Sequence, residues 1–523
     1  MRNVKKRSRE GFSTDPTEKP SRPLFLALSL LLAFGCSQPP PEPGVITVAM
    51  YTSVNSLDPR YATDAVSSRA HHLIFNSLLD LDDNMRLAPD LAESWESADY
   101  QTYIMHLRQG VRFHDGHELT SEDVVYTFTN ILDPKSSSPL RGAFRLVDSV
   151  KAVDRYTVSF TLKEPSGSFL INLVAVQIVP TGAGRNLREH PVGTGPYEFV
   201  SHAVDDRIVL RAFRDYFGGL PRNRGVVLKV VPDDIMRALE LRKRTVDIVV
   251  NDIPPDMAYE LRKEGLRLAT SPGANYQYLG FNLRDPVLAD IRVRHAIGYA
   301  IDRQAIIDHL RRGLATPSVG VLSPTNWAFE PDVFDFTYDP DRARELLDEA
   351  GYRDPDGNGP RPRLTLSLKV SSTEFNRLQS AVLQQNLHEV GIATDVRVFE
   401  FATLYADILK GNFQMYTLQW AGGATADPDI LSRIFHSRQV PPTGFNRGYL
   451  SDPELDQLID EATSATTPEE RRVRYGAVQK RAAELAPYIS LWHETNVALA
   501  QPEITGIDLA PQVDYSFLRN VSR

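Results

Sequence analysis

From Val45 onward, short apolar runs of strand length alternate with longer stretches in which apolar residues recur every three to four positions. Val45 to Tyr51 is a β-branched run that predicts a first strand, ended by the polar loop Thr52 to Pro59. Alternation in Tyr103-Ile104-Met105-His106-Leu107 predicts another strand, and Asp115-Gly116 predicts the turn after it. Thr120 with Asp123 three residues on opens a helix that places Val124, Val125, Phe128 and Ile131 on one face. Asp339-Pro340 predicts an N-cap and an N1 proline before Ala343, Leu346, Leu347 and Ala350, with Gly351 closing the helix at C′. Asp452-Pro453 repeats the device before Leu455, Leu458, Ile459 and Ala462, and Thr467-Pro468 with Glu470 predicts a capping box for a helix running towards Leu485. Between these helices, Val226 to Val231, Tyr276 to Asn282, Leu364 to Val370 and Tyr416 to Trp420 read as short strands. The mixture predicts an α/β (α+β mixed) body, and no repeat of fixed period points to a solenoid or propeller.

The first residues follow a different pattern. Arg2, Lys5, Lys6, Arg7 and Arg9 form a basic run, and Leu24 to Phe34 form an apolar core. That core, about eleven residues, suits the h-region of a signal peptide and is too short to span about 30 Å of hydrocarbon. Leu32-Ala33-Phe34-Gly35-Cys36 has the form of a lipobox, with a bulky Phe34 in place of a smaller residue. Cys36 is the only cysteine in the chain, so burial and not disulfides must stabilise the body. Residues 1–35 are therefore read as a signal peptide, and 36–44 as a lipidated cysteine with a Pro-rich spacer. The remaining ~490 residues exceed the ~250 to 300 at which one core stops growing, so two or more lobes are expected. A net charge of −9 argues against a nucleic-acid partner.

Catalytic and metal signatures are incomplete. In His114-Asp115-Gly116-His117-Glu118 the order matches neither the zinc-protease helix nor its inverse, and the alternatives are a turn and a metal site. Asp354, Asp356, Asn358 and Gly359 begin like a calcium loop, but Thr365 stands where the closing carboxylate is needed, which leaves a polar turn as the other reading. No phosphate loop, nucleophile elbow or S-x-x-K motif is present, so neither an enzyme nor a cofactor is expected.

Residues 91–128, LAESWESADYQTYIMHLRQGVRFHDGHELTSEDVVYTF, closely resemble the signature segment of extracellular solute-binding proteins of the oligopeptide, dipeptide and nickel class, the receptors of ABC importers. Gly193-Thr194-Gly195-Pro196-Tyr197 resembles that family's glycine turn, and Tyr278 to Arg303 its hinge strand and first second-lobe helix. Tyr338 to Gly351 resembles its DPxxARxLLxEAG helix, and Pro487 to His493 its return strand. The resemblance implies a two-lobed periplasmic-binding-protein-like fold, with a first lobe of 45–276 carrying an inserted subdomain at about 81–190. It further implies a second lobe of 277–487, a return segment of 488–523 and a hinge that closes over a ligand.

It also implies a function. The protein is expected to be a monomeric receptor that captures a peptide or peptide-like solute and delivers it to an ABC permease and ATPase, tethered outside the cytoplasm through lipidated Cys36. A receptor for a nickel chelate, haem or another small molecule, and a sensory receptor, are the alternatives. Peptide-binding members place an aspartate three residues after the tryptophan equivalent to Trp420, where it pairs with the peptide's ammonium; here Gly423 stands in that place, and Asp427-Pro428 resembles the later Asp-Pro step. Gly422 and Gly423 either present bare N–H groups to a ligand or form a turn that ends the strand. Tyr276, Tyr278, Trp420 and Trp492 lie at hinge and cleft positions, where a large aromatic serves either as ligand contact or as core. Asn282 and Asn446 suit an amide or their own backbone, and Arg447 a carboxylate or the surface.

Overall fold

The computed structural model describes residues 43–523 apart from Thr63, Arg185 and Asn358 and the side chain of Ala424. The segment read as a signal peptide, Cys36 and most of the Pro-rich stretch lie outside the described residues. In chain order the strands are β1 Val45–Met50, β2 Leu79–Leu81, β3 Leu87–Pro89, β4 Ala92–Glu96, β5 Thr102–Leu107, β6 Val147–Asp154, β7 Thr157–Leu162, β8 Tyr197–Ala203 and β9 Arg207–Ala212. They continue with β10 Gly225–Val230, β11 Ile248–Val250, β12 Arg267–Phe281, β13 Ala315–Pro317, β14 Leu364–Ser371, β15 Ile392–Phe399, β16 Met415–Trp420 and β17 Tyr488–Ala500.

One sheet of 11 strands runs in the order β15-β14-β16-β12-β17-β11-β1-β10-β9-β8, with β13 also on β17. β1 lies between β10 and β11 in parallel register and is buried over nearly its whole length, which is why its sequence is continuously apolar. A separate antiparallel sheet, β4-β5-β7-β6, packs Met105, Phe128, Phe160 and Phe169 into its own cluster. A second cluster joins the two chain ends, Ile46, Val48, Leu228 and Ile248 meeting Ala498 and Leu518. Leu279, Phe281, Ile297, Leu368 and Met415 form a third.

Two long strands cross between these cores. β12 and β17 pair antiparallel from Arg267–Ala500 to Gly280–Tyr488, with a register shift that leaves Gly273, Ala274 and Asn275 opposite Glu494. A bulge of this kind re-aims side chains locally, and here it turns Asn275 to a cavity wall. Ile489, Leu491 and Trp492 pack with the third cluster, so the return strand belongs to that core before it reaches the first at Ala498.

The helix starts follow capping chemistry. The Asp339 carboxylate accepts from the Arg342 N–H at 2.9 Å, and Asp452 accepts from the Leu455 N–H at 2.8 Å, each with proline at the first helical position. Thr120 donates its backbone N–H to Asp123 at 2.9 Å. Thr467 accepts from the Glu470 N–H at 3.2 Å, but Glu470 does not close the box: its carboxylate pairs with Arg474 at 3.0 Å, one turn on. His114 to Glu118 form a turn whose groups go to different partners. His114 Nε2 meets the Gly195 carbonyl at 3.0 Å, while the Glu118 carboxylate accepts from Tyr156 Oη at 2.8 Å. Asp354 accepts from the N–H groups of Asp356 and Gly357 at 3.0 and 2.8 Å, a polar turn, while Asn358 lies outside the described residues. Among the described residues no group of three metal-ligating side chains forms, and no helix is long and apolar enough to cross a membrane.

Candidate functional site

A cavity of about 670 Å³ is bounded by segments that lie far apart in the chain. Asp64 is the N-cap of the helix Ala65–Ile74, Arg69 and His72 lie along its middle and last turn, and Ser168 and Asn172 come from the segment after β7. Asn275 comes from the bulge within β12, Gly423, Asp427 and Asp429 from the segment that follows β16, and Gln512 and Asp514 from the C-terminal loop. The walls also meet directly beside the cavity. Met85, at the tip of the β2–β3 hairpin, is 1% exposed against Ala274 and Ala426, with its sulfur 3.7 Å from Thr325 Oγ1. Gly167 abuts the backbone of Ala465 and Thr466.

Of the candidates read from sequence, Gly422, Gly423 and Asp427 line this cavity. The Gly422 N–H is already donated to Asn275 Oδ1 at 2.9 Å, and a Cβ there would lie 2.9 Å from the Ala274 Cβ, so this glycine serves packing on β12. Gly423 has open space around its Cα. Asp427 is held by Arg471 through two contacts of 2.6 and 3.2 Å, and Asp429 by the same guanidinium at 2.8 Å and by the Tyr475 hydroxyl. Burial and then the charge of Asp429 push Asp427 up to about 6. Burial acts on Asp429 in the same sense but is outweighed by Arg471 and the Tyr475 hydrogen bond, leaving it below the usual carboxylate range. One cation thus faces two carboxylates, and the surplus charge faces the cavity.

The remaining candidates lie in the core. Tyr276 and Tyr278 stack at 5.6 Å; the Tyr276 hydroxyl pairs with Ser490 Oγ at 2.7 Å, and the Tyr278 ring stacks on Tyr488 at 4.2 Å. Arg447 meets no carboxylate among the described residues. It is buried, donates to the Tyr278 hydroxyl at 3.1 Å, and lies 4.5 Å above the Trp420 ring. Asn282 donates to the carbonyls of Gly411 and Phe413, and Asn446 to that of Leu450 at 2.8 Å, so both satisfy backbone. Trp492 is wholly buried beside Phe375.

Several cavity groups escaped the sequence reading. Asp64 caps the helix Ala65–Ile74 by accepting from the Ser67 N–H at 2.8 Å, a signal that an N-cap search reveals. Asp80 and Asp514 share one corner: burial and then the charge of Asp514 push Asp80 up, and His72 Nδ1 stands 3.9 Å from Asp514. A neighbouring cavity of about 60 Å³ adds Asp90, pushed up to about 7 by burial and by Asp80. Nothing local marks Asp514, because its role arises when the chain end returns to the first core.

A cavity walled by distant segments beside the long paired strands β12 and β17, in a mixed α/β fold, is the arrangement of a two-lobed solute-binding protein. The chain belongs to the bacterial extracellular solute-binding proteins, family 5 Middle, whose family model matches residues 86–441. It is 31% identical over 487 residues to the glutathione-binding protein GsiB of Pectobacterium atrosepticum, covering 90% of this chain and 92% of that one. It is 30% identical over 455 residues to heme-binding protein A of Haemophilus influenzae, covering 81% and 82%. Among solved structures it is similar to the ABC transporter-associated periplasmic binding protein DppA from Helicobacter pylori in complex with the peptide STSA, with a TM-score of 0.74 and 26% identity over 92% of this chain and 98% of that one.

Proposed function

We propose that the protein is an exported, lipid-anchored, monomeric receptor, not an enzyme, that encloses a short peptide or peptide-like solute and delivers it to an ABC permease and its ATPase. The reading is carried by the cavity of about 670 Å³, which lies within the ~300 to 1,000 Å³ typical of enclosed small ligands. Its walls bring Asp64, Asp80, Asp427, Asp429 and Asp514 against Arg69 and Arg433, with Arg471 behind. An acid excess of this kind receives an ammonium, and Asp80 with Asp514 takes over from the aspartate that Gly423 replaces. The peptide-bound DppA neighbour and the glutathione-binding relatives support the class, since glutathione is itself a short peptide with a free ammonium. Haem, named for another relative, carries two carboxylates and no ammonium to meet the acidic corner, and fits this charge balance less well. The lobe boundaries near residues 276 and 487 and the lipid on Cys36 form part of the same proposal.

Calorimetry with tri-alanine and N-acetyl-tri-alanine tests it. Enclosing an ammonium against the acidic corner predicts that acetylation weakens binding by at least ~30-fold, the scale of about 2 kcal/mol for a charge-assisted hydrogen bond. Equal affinity for the two peptides refutes the ammonium assignment, and binding of neither refutes the peptide reading.

A further inference from the structure

Arg69 stands on the helix Ala65–Ile74 and lines the large cavity. Its acidic neighbour, Asp252, lines a separate surface notch of about 400 Å³ with Tyr51, Asp233 and Arg237, so the pair forms a partition between the two spaces. Arg69 Nη1 and Asp252 Oδ2 are 3.6 Å apart, and each side chain is 18% exposed. Among the described residues neither atom makes a hydrogen bond, although both are buried. A guanidinium and a carboxylate in good geometry form parallel bonds of about 2.7 to 2.9 Å. Here the two facing atoms have lost hydration without making that bond. Arg471 provides the contrast, saturated by two aspartates and 5% exposed. Arg433, the other arginine of the cavity wall, is exposed, where an ion pair contributes little. Tyr515, whose ring centroid is 5.8 Å from the Arg69 guanidinium, gives the planar group a fixed platform.

We infer that Arg69 is the receptor for a carboxylate of the solute, held loosely by Asp252 until the solute enters. The inference rests on the peptide reading and deepens it. With Asp80 and Asp514 taking the ammonium, a guanidinium on the same cavity selects zwitterionic solutes over purely cationic ones. An arriving carboxylate forms a bidentate pair with the side of the guanidinium that faces the cavity, and Asp252 is left to the solvent of the notch.

The test measures tri-alanine and its C-terminal amide against the full-length wild type, Arg69→Gln and Asp252→Asn by calorimetry. Wild type is expected to lose about 10- to 100-fold on amidation, whereas Arg69→Gln binds the two peptides within twofold of each other. Asp252→Asn, which removes the competing acid, is expected to enlarge the amidation penalty and provides the readout if Arg69→Gln fails to fold. An equal penalty in wild type and Arg69→Gln, or an unchanged penalty in Asp252→Asn, overturns this inference alone. Wild type that binds neither peptide overturns the peptide reading and this inference with it.

Discussion

Gly167→Ala separates closure from folding. A Cβ at Gly167 would lie 2.7 Å from the Thr466 carbonyl oxygen and 3.0 Å from that of Ala465, both backbone atoms that no rotamer change can move aside. Gly167 is not among the positive-φ residues, so alanine fits its own backbone without strain. The clash exists only while the segment after β7 touches the loop between the helices Pro453–Ser464 and Pro468–Leu485. Overpacking of this size costs about 1 to 3 kcal/mol, and here the cost falls on the closed form. Affinity for an enclosed solute should therefore fall by about 5- to 150-fold. The ligand-free protein should melt at an unchanged or slightly higher temperature, because replacing glycine restricts the unfolded chain. Calorimetry with tri-alanine and thermal unfolding without it read the two quantities. Unchanged affinity, or a loss matched by an equal loss of ligand-free stability, would show that the Gly167 contact does not govern closure.

Arg471→Met leaves Asp427 and Asp429 facing each other without their cation and is expected to destabilise the protein by about 3 to 5 kcal/mol in urea titration; a loss below 1 kcal/mol would contradict the shared-charge account. Burial pulls both His71 and His493 down to about 4, so their neutral forms support the fold above the unfolded value of about 6.5. That contribution declines as the pH falls towards 4, with each histidine removing about 2 kcal/mol by pH 5, and urea midpoints at pH 7 and 5 for wild type and His71→Gln test the size of the loss. Cys36→Ser is expected to move the protein from the membrane to the soluble fraction with the mass of an unlipidated chain, as read by fractionation and mass spectrometry.

What the sequence revealed depended on the range of the physics. β1 and the caps at Asp339 and Asp452 were legible because a β-branched run or an Asp-Pro step acts within a few residues. Glu470 had the right spacing for a capping box, but Arg474 one turn away competes for its carboxylate, and spacing alone does not weigh two partners. The site was less legible for the same reason. Tyr278, Trp420 and Arg447 have the chemistry of ligand contacts, yet they serve one another as core, a cation lying over an indole and donating to a phenol. Asp514 and Arg69 reach the cavity only after the C-terminal loop and the helix Ala65–Ile74 pack together, a juxtaposition with no local mark. Gly422 was visible as an unusual residue, and its reason, the Ala274 methyl beneath it, was not.

On the reading proposed above, the lobes enclose a peptide-like, amine-bearing solute. Native mass spectrometry of the full-length protein, followed by denaturation and sequencing of what it releases, tests this most directly. One equivalent of a short peptide with a free amine and a carboxylate is expected; a porphyrin or a metal chelate in its place would rule out the peptide reading.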